Sequence, residues 1–192
     1  GVILSRFPAA AIVDLTHEAH VHWPAEAGFW ISRSYHYFPV GSIHLAIVDP
    51  GVGTPRDILL ALGDGQAFLA PDNGLLAEVI ERSSASVYAL SDEVIETYCL
   101  ENTSATFHGR DIFAPLVAAL ASGVFKMNNL GEPTVNWIPS IVERPELRGS
   151  ELVGIVITAD HFGNLITNIT PEDLVGFANP SIVVGGHKIH MG

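Results

Sequence analysis

Short apolar runs, each of strand length and each cut off by a polar or glycine-rich turn, alternate with segments of helical spacing through the first two-thirds of the sequence. A continuous apolar run with no polar alternation must be covered on both faces, so this feature constrains the fold most. Residues 10–13 form such a run, ending at Asp14, and read as a buried strand. Residues 24–37 carry Phe29, Trp30 and Tyr37 at helical spacing, after a Pro24 suited to a first helical turn. Residues 42–48 read as a second strand, broken by Asp49-Pro50-Gly51. Residues 58–62 and 67–70 are further strands around a Gly63-Asp64-Gly65 turn. Helix is expected over 74–82, strand over 86–90, and an Ala/Leu-rich helix over 112–121 closed by Gly123. The alternation predicts an α/β fold, a mostly parallel sheet flanked by helices.

The texture changes at about residue 131. Pro133, Pro139 and Pro145 interrupt a stretch of few periodic apolar residues, which reads as a linker over 131–150. Strand-like runs at 152–158, 165–169 and 182–184 follow, with a short helix over 171–174 and Thr170 as its N-cap. The expected organisation is an α/β domain over 1–130, the linker, and over 151–192 the beginning of a β-barrel-like C-terminal domain. Gly1 leads straight into an apolar stretch, and the alternating segment 187–190 stops without a pairing partner. Both ends therefore read as cut from a longer chain.

Composition narrows the function. Nine Lys and Arg stand against 21 Asp and Glu, a formal net charge of −12, and no basic cluster exists to contact phosphates. That excludes most direct nucleic-acid roles. Charged residues make up 16% of the chain, below the usual value of about a quarter. So low a fraction points to a large buried area, part of it between subunits. Apolar runs fall short of the ~20 residues of a membrane span. Cys99 is the single cysteine, which excludes an internal disulfide and a cysteine-based zinc knuckle. The expected location is the cytoplasm.

Several familiar motifs fail. Gly51-Val52-Gly53-Thr54-Pro55-Arg56 lacks the third glycine of a dinucleotide fingerprint and the Gly-Lys-Ser/Thr ending of a P-loop. His17, Glu18, His20 and His22 do not follow His-Glu-x-x-His and read as loop residues rather than metal ligands. No Gly-x-Ser-x-Gly elbow is present. What remains is a set of polar turns at the ends of apolar runs, where open α/β sheets bind ligands. They hold Asp49 with Arg56, then Asp72-Asn73-Gly74, His108 with Arg110 and Asp111, and Asp160-His161-Phe162-Gly163-Asn164. Singly, each has a structural reading: Asp49 as a turn former, Arg110–Asp111 as a capping ion pair, Asn164 as a turn residue. Together they indicate a small-molecule site at strand ends.

The same segments resemble a known family. Asp14-Leu15-Thr16-His17, Val48-Asp49-Pro50-Gly51-Val52-Gly53-Thr54, Ala70-Pro71-Asp72-Asn73-Gly74-Leu75-Leu76, the stretch from Thr106-Phe107-His108-Gly109-Arg110-Asp111 to Pro115, and Asp160-His161-Phe162-Gly163-Asn164-Leu165 follow its pattern in order. The chain looks like a SAM (S-adenosyl-L-methionine) hydroxide adenosyltransferase, or SAM hydrolase, a relative of the fluorinase and chlorinase. The resemblance implies hydrolysis of SAM to adenosine and L-methionine, with SAM as substrate and no cofactor. It also implies a homotrimer with SAM bound between subunits. By motif match Asp49, Arg56 and His108 are the water-activating set. Asp160, Phe162 and Asn164 would hold substrate, joined by Asn73 and by an aromatic against the nucleoside that falls at His22 or Trp23, with Trp23 the expected residue. The family's opening Thr-Asp-Phe-Gly segment has no counterpart in this sequence. In the halogenase branch an aromatic residue stands at the position of Asp49. A carboxylate there repels halide, so Asp49 favours hydrolysis over the alternatives of halogenation or of nucleoside binding without turnover.

Overall fold

The computed structural model describes residues 1–190, the last of these by its backbone. The chain divides into two compact units, Gly1–Ile141 and the residues from Val142 onward. In the first unit α1 (Val2–Arg6) and α2 (Pro24–Ser34) precede β1 (Ile43–Leu45), β2 (Ile58–Gly63) and β3 (Gln66–Pro71). Then come α3 (Ala77–Ser83), β4 (Ser86–Ala89), α4 (Asp92–Tyr98) and α5 (Ala114–Ala121). Four strands form one sheet in the order β1-β3-β2-β4.

The sheet is mixed, not mostly parallel. β1 runs parallel to β3, but β2 is antiparallel to both β3 and β4. Two residues, Asp64 and Gly65, join β2 to β3, both at positive φ (50° and 71°). A connection that short makes a hairpin, since a parallel crossover takes a dozen residues or more.

Successive residues of β2 serve opposite faces, the period of two that a pleated strand imposes. Ile58 and Leu60 join Val94, Phe113 and Leu116 of the α4 and α5 side. Leu59 and Ala61 join Ile31, Leu76 and Val79 of the α2 and α3 side. Helices thus cover both faces, as the continuous apolar runs require.

Residues 10–13 are not a strand: they have no regular structure, and Val13 is 68% exposed. Residues 9–17 and 38–45 face each other across a cleft of about 670 Å³ instead of through backbone hydrogen bonds. An apolar run without a neighbouring strand has nothing to pair with. The strand expected over 42–48 is regular only from Ile43 to Leu45, with one further bond from Ala46 N–H to the Leu69 carbonyl (3.1 Å). Beyond it the backbone leaves the sheet towards Asp49. Two helices were not foreseen. α4 is capped by Ser91, whose Oγ accepts from Val94 N–H at 3.3 Å, and α1 is a single short turn. Before α5, Gly109–Phe113 forms a π-helical turn, a feature frequent at functional sites.

The expected linker is not uniform. Thr134 N–H donates to the Val87 carbonyl (2.7 Å), and Ile138 N–H donates to Asp72 Oδ1 (2.8 Å). These bonds lay the segment before residue 141 along the first unit.

The second unit holds three antiparallel ribbons: β5 (Glu146–Arg148) with β6 (Glu151–Val153), β7 (Val156–Ala159) with β8 (Leu165–Thr167), and β9 (Ser181–Val184) with β10 (His187–His190). No barrel closes among the described residues. The run 152–158 is split at Gly154, where a Cβ would collide with Asn168 Oδ1 and Ile169. Thr170 does not accept as an N-cap. Its N–H and Oγ1–H both donate to Asp173 Oδ2, each at 2.8 Å, and Pro171 precedes a 3-10 turn over Glu172–Leu174.

Candidate active site

The segment after β1 folds back on itself. Val52 N–H reaches the Asp49 carbonyl (3.2 Å), while Thr54 donates to the Gly51 carbonyl through N–H (3.0 Å) and Oγ1–H (2.6 Å). Gly53 sits at φ +81°, and a Cβ there would come 2.8 Å from the Ala105 carbonyl oxygen. Only glycine fits both the dihedral and the close approach. This turn returns Arg56 to Asp49.

Arg56 donates from Nε to Asp49 Oδ2 at 2.7 Å, and its Nη2 pairs with the same oxygen. Both side chains are buried, 10% exposed for Arg56 and 5% for Asp49. Arg56 Nη2 also lies 3.2 Å from His108 Nδ1. A guanidinium only donates, so Nδ1 is the acceptor and the imidazole carries its proton on Nε2. The guanidinium carbon stands 5.9 Å from the centroid of the buried Phe113 ring. Asp49 Oδ1 is buried and has no hydrogen-bond partner among the described residues. Buried carboxylate oxygens are nearly always hydrogen-bonded, so this one is fit to take a proton donor from outside the protein.

Two further segments hold this set. Asn73 Nδ2 donates to the Val48 carbonyl (2.8 Å), and its Oδ1 accepts from Leu75 N–H (3.3 Å). Its amide is therefore engaged at both ends and anchors the backbone next to Asp49. Neighbouring Asp72 is buried, which pushes its carboxyl pKa up against the opposing bond from Ile138 N–H. His108 lies in the loop closed by Asp111, a fully buried carboxylate. Asp111 Oδ1 accepts from Arg110 Nε (2.5 Å), and Oδ2 from Arg110 Nη2 (3.1 Å) and Ser104 N–H (2.8 Å). The bond from Arg110, with those from Ser104, holds Asp111 well below the usual carboxylate range. Asp111 was read from the sequence as half of a capping ion pair. The bond from Ser104, seven residues before Asp111 and outside the motif that begins at Thr106, has no sequence signal of its own.

The other expected site residues belong to other segments of the chain. Trp23 is half-buried at the N-cap position of α2, its N–H on the His20 carbonyl (3.0 Å). Asp160, Phe162 and Asn164 belong to the second unit, in the turn between β7 and β8. Asp160 Oδ1 accepts from Phe162 N–H (2.9 Å) and Asn164 N–H (2.8 Å), and Oδ2 from Asn164 Nδ2 (2.8 Å). These bonds, the Asn164 side chain first, lower the Asp160 pKa. Phe162 is 91% exposed on the turn that these bonds close. Among the described residues no group of three or more His, Cys, Asp or Glu is arranged to hold a metal ion.

The family model described as SAM hydroxide adenosyltransferase N-terminal domain matches residues 1–131. The chain belongs to this family. Among its relatives is an (R)-S-adenosyl-L-methionine hydrolase of Salinispora tropica, 38% identical over 170 residues, which cover 86% of this chain and 63% of that protein. A Thermus thermophilus protein of the same name is 34% identical over 98% of this chain and 73% of its own. The crystal structure of an uncharacterized conserved protein from Thermotoga maritima superposes with a TM-score of 0.83 at 31% identity. It covers 98% of this chain and 73% of that one. The chain thus spans 63% to 73% of the length of these proteins.

Proposed function

We propose that Asp49, Arg56 and His108 form the water-activating centre of a SAM hydrolase that yields adenosine and L-methionine. The carrying observation is the buried Asp49 Oδ1, left without a partner while Oδ2 is held by Arg56. A water donating to Oδ1 would attack ribose C5′ in line with the C5′–S bond. As the C–O bond forms, the C5′–S pair passes to sulfur, which neutralises the sulfonium. Methionine departs as a thioether and needs no acid, and the water proton passes to Asp49. Arg56 fixes the Asp49 rotamer, and the His108 Nε2–H completes the polar set. Holding water at attack distance beside a desolvated cation accounts for most of the barrier reduction. SAM is the substrate, and this route calls for no cofactor.

Within this reading Asp160, Phe162, Asn164 and Trp23 hold substrate, with Phe162 offering an aromatic face. Asn73 serves the site through its grip on Val48. The (R)-sulfonium named in the relatives is the expected form, a homotrimer with the site between subunits the expected assembly, and the cytoplasm the expected location. The names of the relatives support the (R)-form, and the low charged fraction of the chain supports burial between subunits.

Incubation with SAM in ¹⁸O-water, followed by chromatography and mass spectrometry, tests the reaction. Adenosine labelled at its 5′-oxygen and an equal amount of methionine are expected, with no 5′-halo product in excess chloride. Asp49→Asn should lower the rate by about 10²–10⁴-fold, the range for losing a general base. No adenosine from the unmodified protein, or an Asp49→Asn protein as fast as the parent, overturns the reading.

A further inference from the structure

Arg56 reaches His108 across 52 positions of sequence, and the single bond between them does not fix where the imidazole stands. The backbone around it does. Ser104 N–H donates to Asp111 Oδ2, Phe107 N–H donates to Ser104 Oγ (2.9 Å), and Asp111 N–H returns to the Phe107 carbonyl (2.9 Å). Leu100 N–H is bonded to the Asp111 carbonyl at 2.8 Å. This closed circuit runs from Ser104 to Asp111 with His108 inside it. Its outer surface, the Ala105 carbonyl, is the backbone against which Gly53 of the Asp49 loop packs.

We propose that Asp111 is a positioning residue for His108. Its carboxylate closes the 104–111 circuit and so keeps His108 Nδ1 where Arg56 can donate to it. Both Asp111 oxygens are engaged by protein donors and the residue has no exposed surface, so it acts through His108 and not on substrate. Stability alone does not require a carboxylate there, since replacing a buried ionic group and its partner by well-packed apolar side chains is often neutral or stabilising. What a carboxylate adds is simultaneous acceptance from the Arg110 guanidinium and from the Ser104 amide, seven residues before it. The effect on rate rests on the hydrolase reading. The effect on the imidazole does not.

The test is ¹⁵N NMR of the His108 ring in the 192-residue protein, assigned with His108→Gln, alongside SAM kinetics. In the unmodified protein Nδ1 should be bare and Nε2 protonated. In Asp111→Asn, which retains one acceptor oxygen, the ring should become a mixture of tautomers. The rate constant kcat should fall about 100-fold, the scale of an ångström-sized misplacement. KM should stay within about twofold, because an interaction made in the transition state is lost and not uniform binding. Arg110→Ala, a change at a half-exposed side chain, should move both readouts the same way with a loss of about tenfold in kcat. It carries the test if Asp111→Asn does not fold. A folded Asp111→Asn protein, judged by near-UV circular dichroism, with an unchanged His108 spectrum overturns the proposal. So does Arg110→Ala with an unchanged spectrum. A tautomer shift in a protein that makes no adenosine supports the positioning role and overturns only the hydrolase reading.

Discussion

Two aspartate-centred turns of this molecule can be set side by side. In the loop 104–111 Asp111 is fully buried, while in the turn 160–164 Asp160 organises an exposed loop. Each carboxylate spends both oxygens on donors of its own segment, and in each the pKa is lowered. Asp49 differs from both: one oxygen is committed to Arg56 and the other is buried and unpartnered. A carboxylate with all its acceptors filled shapes backbone. One left half-satisfied in a buried place has capacity for a ligand.

The comparison is broken most severely by Arg56→Met. It leaves the Asp49 carboxylate buried without its counter-charge, a change that costs about 3–5 kcal/mol. Urea unfolding should show the loss, and a midpoint near that of the unmodified protein would mean that water reaches Asp49 freely. Gly53→Ala comes next. It places a Cβ at φ +81° and 2.8 Å from the Ala105 carbonyl, so the Asp49 loop and the His108 loop cannot both keep their places. A loss of about 1–3 kcal/mol is expected by the same measurement, with a fall in turnover.

A smaller effect concerns pH. His44 lies on β1, five residues before Asp49, stacked on Phe68 and bonded to Gln66 Oε1 at 2.5 Å. Burial lowers its pKa, so the unfolded chain binds this proton more readily than the folded one. Its contribution is complete above the unfolded value of about 6.5 and is lost as pH falls below it. The urea midpoint should therefore drop between pH 7.5 and 5.5, and His44→Phe should flatten that slope. Asp160→Ala should change stability least, because its turn is exposed. Its melting temperature should match that of the unmodified protein, while KM for SAM rises. An unchanged KM would remove the turn 160–164 from the substrate site.

Much of the site was readable because its residues sit together in short motifs. Asp49 and Arg56 are seven positions apart around a glycine turn, and His108 directly precedes a helix. The helices expected over 24–37 and 112–121 from periodicity, Pro24 and Gly123 are present as α2 over Pro24–Ser34 and α5 over Ala114–Ala121. Other parts were hidden for a common reason. Residues 10–13 and the direction of β2 depend on which strand lies alongside, and an apolar run carries no record of its neighbour. The Gly63-Asp64-Gly65 turn was itself evidence for an antiparallel hairpin, and the β/α alternation outweighed it in the prediction of a parallel sheet.

Local chemistry belongs to the sequence: turns where glycine alone can take the dihedral, runs too apolar to face water, and the residue types that can move a proton. These are set within a few positions along the chain, so they survive without any knowledge of the fold. Pairing and occupancy belong to the tertiary structure. It decided that Arg56 takes one oxygen of Asp49 and leaves the other, that Arg56 donates to His108 and so assigns its tautomer, and that Ser104 closes on Asp111. Arg56 and His108 come from segments 52 positions apart, the other two contacts close turns whose path the fold sets, and burial makes the count of filled and unfilled acceptors matter.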